Sequence, residues 1–186
     1  MKAPLRLTLK IILVVFAFFF LIPLFLPSAY TITADKEINA PDSVVFNLVN
    51  NLRNRKKWSP FMQDATLKNT FSGPEEGSGA KRSWKSKKSG TGSIEIVQSV
   101  PNKSIKTNMS FGTPGTATGY WSFAPAERGT KVTWKLHFSG LRYPFGKWLG
   151  LFLRKSIHQI LETGLDELQY VSEEEANHRK QKQSTP

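Results

Sequence analysis

With 186 residues, the chain has room for one domain and an appendage rather than for two independent cores. It has no cysteine, which excludes disulfides, thiol nucleophiles and thiolate metal sites, and a body of roughly 150 residues can bury an ordinary core without them. A formal charge of +12, from 26 Lys and Arg against 14 Asp and Glu, makes nucleic acid, anionic lipid and acidic polymers the partners to separate.

At the amino terminus Lys2, Arg6 and Lys10 precede Ile11 to Leu26, a run of apolar residues and Pro23, and no charge follows until Asp35. Leu7 to Leu26 supplies the roughly 20 residues that a helix needs to cross the hydrocarbon, with Lys10 snorkelling back to the headgroups. A cleaved secretory signal is the competing reading, although its apolar core usually spans about 7 to 15 residues and ends in small residues, where this chain has Pro27. Residues 1–29 are therefore expected to be a cytoplasmic stub and a transmembrane anchor, with a buried soluble helix as a third reading. The basic flank keeps the amino terminus cytoplasmic and sends the body to the other side. From Ala34 onward the body carries 23 Lys and Arg against 14 Asp and Glu. Exported charge of that sign points to anionic headgroups or acidic envelope polymers, and no nucleic acid is expected. Pro27 to Tyr30, about 14 Å when extended, holds the body against the bilayer.

Alternation from Thr31 to Ala40 predicts a first strand, ended by Pro41. Pro41 and Asp42 suit a first helical turn, and Val45, Leu48, Val49 and Leu52 recur at helical spacing, so a helix is expected to about Arg53. About six strands follow. The clearest are Ile94, Ile96, Gln98 and Val100; Ile105, Thr107, Met109 and Phe111; and Val132, Trp134, Leu136 and Phe138. Their period of two predicts an antiparallel sheet with one wet and one dry face. Pro144 opens a long helix whose apolar stripe includes Phe145, Trp148, Leu149, Phe152, Ile157, Leu161, Leu165 and Leu168 and which is expected to end near Ser172. The body is thus 30–172, followed by a polar tail, 173–186, expected to fray.

Four motifs in this order carry a family resemblance: Ile38-Asn39-Ala40-Pro41 with Val44 to Phe46; Trp58-Ser59-Pro60-Phe61; Gly77-Ser78-Gly79-Ala80 leading to Trp84; and Gly129-Thr130-Lys131-Val132-Thr133-Trp134. From about Tyr30 to Val171 the chain resembles the START-like superfamily of polyketide cyclases, dehydrases and lipid-transfer proteins. Arg128 replaces the first glycine of the last motif, and Arg55 stands where related sequences often have tryptophan. The resemblance implies an α+β helix-grip fold, a seven-stranded antiparallel sheet curved around the carboxy-terminal helix, with a cavity for apolar ligands between them.

Strand and helix parity put Arg82, Trp84, Met109, Phe111, Trp134, Phe138, Trp148 and Phe152 on expected inner faces, where they either line a cavity or simply pack. The basic clusters Arg53, Arg55, Lys56, Lys57 and Lys81, Arg82, Lys85, Lys87, Lys88 are either solvated faces or a membrane-surface patch, with Arg82 shared between the two readings. No catalytic motif, metal site or cofactor signature stands out. His137 is expected to face outward, His158 to pair with Glu162 on the helix surface, and Glu95 to face water. The leading functional expectation is a noncatalytic, membrane-anchored binding module for a hydrophobic small molecule such as a lipid or quinone. A cyclase- or dehydrase-like enzyme acting on an aromatic substrate, with Arg82 as its first residue to test, and a structural or partner-binding envelope protein are the alternatives. Oligomeric state is not readable.

Overall fold

A computed structural model describes residues 2–111 and 115–184. Met1, which begins the expected stub, and Thr185 and Pro186, which end the expected tail, lie outside the described residues. The chain runs α1 (Lys2–Phe25), β1 (Tyr30–Ile38), α2 (Asp42–Asn50), two short 3-10 turns (Asn54–Lys57 and Pro60–Met62), β2 (Lys68–Ser72), β3 (Lys81–Ser86), β4 (Gly90–Val100), β5 (Ser104–Ser110), β6 (Thr116–Ala126), β7 (Gly129–Ser139) and α3 (Phe145–Ser184). All seven strands form one antiparallel sheet in the order β1-β7-β6-β5-β4-β3-β2. The expected α+β helix-grip architecture is the one observed.

Alternation sorts the inner face as the sequence predicts: Ile32 and Ala34 on β1, Ile105 and Thr107 on β5, Trp121 and Phe123 on β6, and Val132, Trp134 and Leu136 on β7 are buried. Strand β4 departs from it. Its register shifts between Ile96 and Gln98, so that Ser99, not Gln98, pairs with the buried Ile105. A bulge inserts one residue and reverses the parity beyond it. Ser99 then donates to Oδ1 of the buried Asn50 at 2.7 Å, which gives α2 a polar tie to the sheet.

The motifs act as joints between these elements. Gly129 opens β7 at φ +125°, and a Cβ there would lie 2.3 Å from the Ile38 carbonyl oxygen. Thr130 Oγ1 donates to the Ala40 carbonyl at 2.8 Å, so glycine and threonine together clamp the end of β1. Gly129→Ala is expected to destabilise the body by about 2–4 kcal/mol, because both the φ and the space suit glycine alone. Thermal unfolding of the variant checks this. At the second joint, Gly79 N–H donates to Ile96 O at 2.7 Å and Ile96 N–H to Ala80 O at 2.9 Å, which holds the loop before β3 against β4.

Helix α3 divides into two functional halves along a single stripe. Leu161, Leu165, Leu168 and Ser172 are buried, the leucines packing into the core that also holds Ile38, Val45, Leu48 and Val49. Leu149, Leu153 and Ile157 continue the same stripe toward the amino-terminal end, where the sheet no longer meets the helix tightly. The helix does not stop near Ser172 but runs on to Ser184. Glu173 accepts the Asn39 N–H at 3.1 Å and Gln169 Nε2 at 2.9 Å, and Ala176 is buried. Further along, Arg179 pairs with Glu175. These ties, with Glu-rich sequence favourable to helix, extend the last element through the segment read as a fraying tail.

Arg6–Phe25 in α1 is long and apolar enough to cross a membrane by length and composition, a property that anchors and signal sequences share. Its carboxy-terminal part meets the start of α3. Trp148 Nε1 donates to Phe19 O at 3.1 Å, Tyr143 Oη donates to Phe20 O at 2.7 Å, and the Phe19 ring lies 5.3 Å from that of Phe145.

Candidate functional site: an apolar cavity floored by two arginines

Between the sheet and the first half of α3 lies a cavity of about 370 Å3. Strand parity delivers Arg82 and Trp84 from β3, Ile94 from β4, Met109 from β5 and Trp134, Leu136 and Phe138 from β7. The helix contributes Leu149, Gly150, Leu153 and Ile157. Gly150 permits this closeness, since a Cβ there would lie 2.7 Å from the Tyr30 ring and 2.5 Å from Leu141 Cδ1.

Exposure distinguishes a mouth from a floor. Phe61, Ser89, Phe111, Leu149, Leu153 and Arg154 are exposed at the rim, whereas Arg55, Ser59, Arg82, Ile94 and Trp134 are buried. Phe111 leans on Trp84 edge to face at 6.0 Å and stacks on Phe138 at 6.4 Å. Asp64 braces one side of the rim. Its carboxylate accepts from Ser86 Oγ and from both the N–H and the hydroxyl of Thr66, and these bonds, that from Ser86 foremost, lower its pKa from 3.8 to about 2.

The floor is built on three indoles. Trp121 stacks on Trp134 at 4.3 Å, and Trp58 meets both edge to face at 5.7 and 6.0 Å while its Nε1 donates to Leu48 O at 3.0 Å. Arg55 lies on this aromatic bed and Arg82 over the separate ring of Trp84, and they are only 6% and 5% exposed. The Arg55 guanidinium sits 5.8 Å from the Trp58 and Trp121 rings, and that of Arg82 sits 4.9 Å from Trp84. Burial, and then the field of Arg82, push Arg55 down to about 9; burial pushes Arg82 down to about 10. Both stay charged at neutral pH.

Of the sequence-derived cavity candidates, Arg82, Trp84, Met109, Phe111, Trp134 and Phe138 lie together around the cavity. Trp148 and Phe152 do not. Trp148 points at α1, and Phe152, stacked on it at 5.8 Å, is 69% exposed. Helical spacing fixes a stripe but not which of two adjacent stripes faces the sheet, and the cavity-facing residues are one position further on, at 149 and 153. Among the basic candidates, Arg53, Lys56, Lys57, Lys85, Lys87 and Lys88 are exposed, with Arg53 resting 4.4 Å over the Phe71 ring. Arg55 is the correction: read as part of a charged surface, it lies inside the cavity. Its flanking lysines gave a solvated-face pattern, and the one contrary signal was the tryptophan that related sequences often carry at this position. Half-buried Lys81 pairs with Glu95 across β3 and β4 at 3.8 Å, His158 pairs with Glu162 at 3.5 Å, and His137 Nδ1 shares a 2.9 Å hydrogen bond with Thr31 Oγ1.

A sheet wrapped on a helix with an apolar hollow between them defines a class of small-molecule-enclosing proteins. Residues 29–173 match the family model described as polyketide cyclase / dehydrase and lipid transport, and the chain belongs to that family. No curated protein matches the sequence. Among solved structures, the fold is similar to that of a protein from Chromobacterium violaceum, with TM-score 0.57 and 16% identity over 77% of this chain and 96% of that one. It is also similar to a protein of unknown function from Staphylococcus aureus, with TM-score 0.59 and 14% identity over 80% and 96% of the two chains. A third is a protein from Thermus thermophilus, with TM-score 0.56 and 19% identity over 76% and 95%. At these identities the likenesses show the fold alone.

Proposed function

We propose that the chain is a membrane-anchored binding module that takes a hydrophobic molecule, a lipid or a quinone, from the adjacent bilayer into the cavity. The observation that carries this reading is the position of the mouth. Leu149 and Leu153, exposed at the rim, belong to the same end of α3 that docks on α1 through Trp148 and, just before the helix, Tyr143. Phe145, Leu151 and Phe152 add exposed apolar surface there. In this reading α1 is an uncleaved anchor with its amino terminus cytoplasmic, and the body lies on the extracytoplasmic face. The exposed lysines near the rim, Lys85, Lys87 and Lys88, add attraction to anionic headgroups. Ligand burial supplies the binding energy, at roughly 25 cal/mol per Å2 of apolar surface.

Mass spectrometry of lipid extracted from the purified full chain tests the proposal. Wild type is expected to retain a stoichiometric apolar species that Met109→Trp, which fills the cavity from β5, loses. Equal retention by the two proteins would place the lipid on α1 and end the carrier reading.

A further inference from the structure

Two positive charges sit at the buried end of an otherwise apolar cavity, and among the described residues neither has a carboxylate partner. Both guanidinium groups belong to the cavity lining and lie over indole rings. Nε and Nη2 of Arg55 and Nε and Nη1 of Arg82 are buried with no hydrogen-bond partner. Buried donors are nearly always satisfied, and a guanidinium edge fits the two oxygens of a carboxylate or phosphate. Folding does not remove these charges by deprotonation, because both groups remain cationic at neutral pH despite their lowered pKa values. The other charged residues on the wall are Asp64 and Arg154. Asp64 is already engaged by Ser86 and Thr66, and Arg154 is exposed at the mouth. An anion that enters the cavity would neutralise both charges and accept from guanidinium N–H groups.

We propose that Arg55 and Arg82 form an internal oxyanion site, and that the ligand is a single-chain amphipathic acid that enters acid group first, leaving its apolar tail along Met109, Trp84 and Leu153 toward the mouth. A cavity of about 370 Å3 is near the lower end of the roughly 300–1,000 Å3 usual for small ligands, which favours one chain over two. This rests on the reading of the cavity as an apolar-ligand site and narrows it, since a neutral quinone, although its carbonyls could accept hydrogen bonds, would leave both buried charges unneutralised. A carboxylate and a phosphate monoester share the recognising chemistry.

The test uses the full chain in nanodiscs of neutral lipid, titrated calorimetrically at neutral pH with decanoate, decyl phosphate and decanol, with empty discs subtracted. At least one acid is expected to bind on the order of 10- to 100-fold more tightly than decanol, the range of charge-assisted hydrogen bonds. Which acid binds more tightly separates a fatty-acid source from a phosphate-bearing one. Arg55→Met and Arg82→Met are expected to bring acid and alcohol within a few-fold of each other while decanol binding is retained. Equal binding of all three by wild type, with all three lost in Met109→Trp, would overturn the oxyanion site and leave the cavity reading standing. Binding insensitive to Met109→Trp would overturn the cavity reading itself. Were either arginine variant to misfold, the wild-type preference for acid over alcohol decides the proposal alone.

Discussion

Trp121→Ala should lower the stability of the body by about 3–5 kcal/mol, the range for emptying a buried large aromatic site, with the loss of two ring contacts included. Trp121 is fully enclosed, stacked on Trp134 and edge-on to Trp58, and those three rings carry the cavity floor. The space left behind would open next to Arg55 and would not collapse easily, because β6 and β7 hold the surrounding backbone through a continuous ladder from Thr116 to Ala126. Chemical unfolding in detergent measures the effect. Trp121→Phe separates its causes, since it keeps a ring while removing Nε1, a buried donor with no partner. That variant is expected to lose well under half as much.

The second large effect has the opposite sign. Arg55→Met is expected to raise the stability of lipid-stripped protein by about 1–3 kcal/mol. A buried, unpaired charge is penalised by several kcal/mol, and methionine fills a similar volume without it, offset by the loss of roughly 0.5–2 kcal/mol of cation–π attraction to Trp58 and Trp121. For a body of this size the gain corresponds to a midpoint several degrees higher, at roughly 2–4 °C per kcal/mol. Loss of stability in this variant would mean that the guanidinium has favourable partners without a ligand. In protein carrying a bound acid the gain should shrink or reverse, because the charge is then paired.

The fold was legible because its signals are periodic. Alternation in β5 and β7 and the leucine stripe at 161, 165 and 168 each state which side is dry, and the order of the four motifs joined them into one architecture. Strand parity places six residues on the inner face, either lining or packing, and the cavity between sheet and helix is an implication of the family resemblance; all six lie around the hollow. The sequence misled in two places: the β4 bulge redirected Ser99, and the apolar stripe of α3 was broad enough to hold both Leu149, which lines the cavity, and Trp148 and Phe152, which do not. Arg55 was illegible for a different reason. Charged residues are rarely buried unless paired, and its partner, in this account, is not part of the chain. The helical extension past Ser172 was hidden by its polar composition, since Glu173 is held through a backbone contact to Asn39 that no local pattern announces.

The central claim is that a greasy molecule lodges between the sheet and the first half of α3. A photoreactive alkyl probe, activated on the full chain in a bilayer and mapped by peptide mass spectrometry, tests it most directly. Adducts are expected on β3, β5 and the 149–157 segment, at Trp84, Met109 and Leu153 above all, and competition by unlabelled ligand should remove them. Labelling confined to α1 and the exposed face around Phe145 and Phe152, with the cavity walls untouched, would contradict the account.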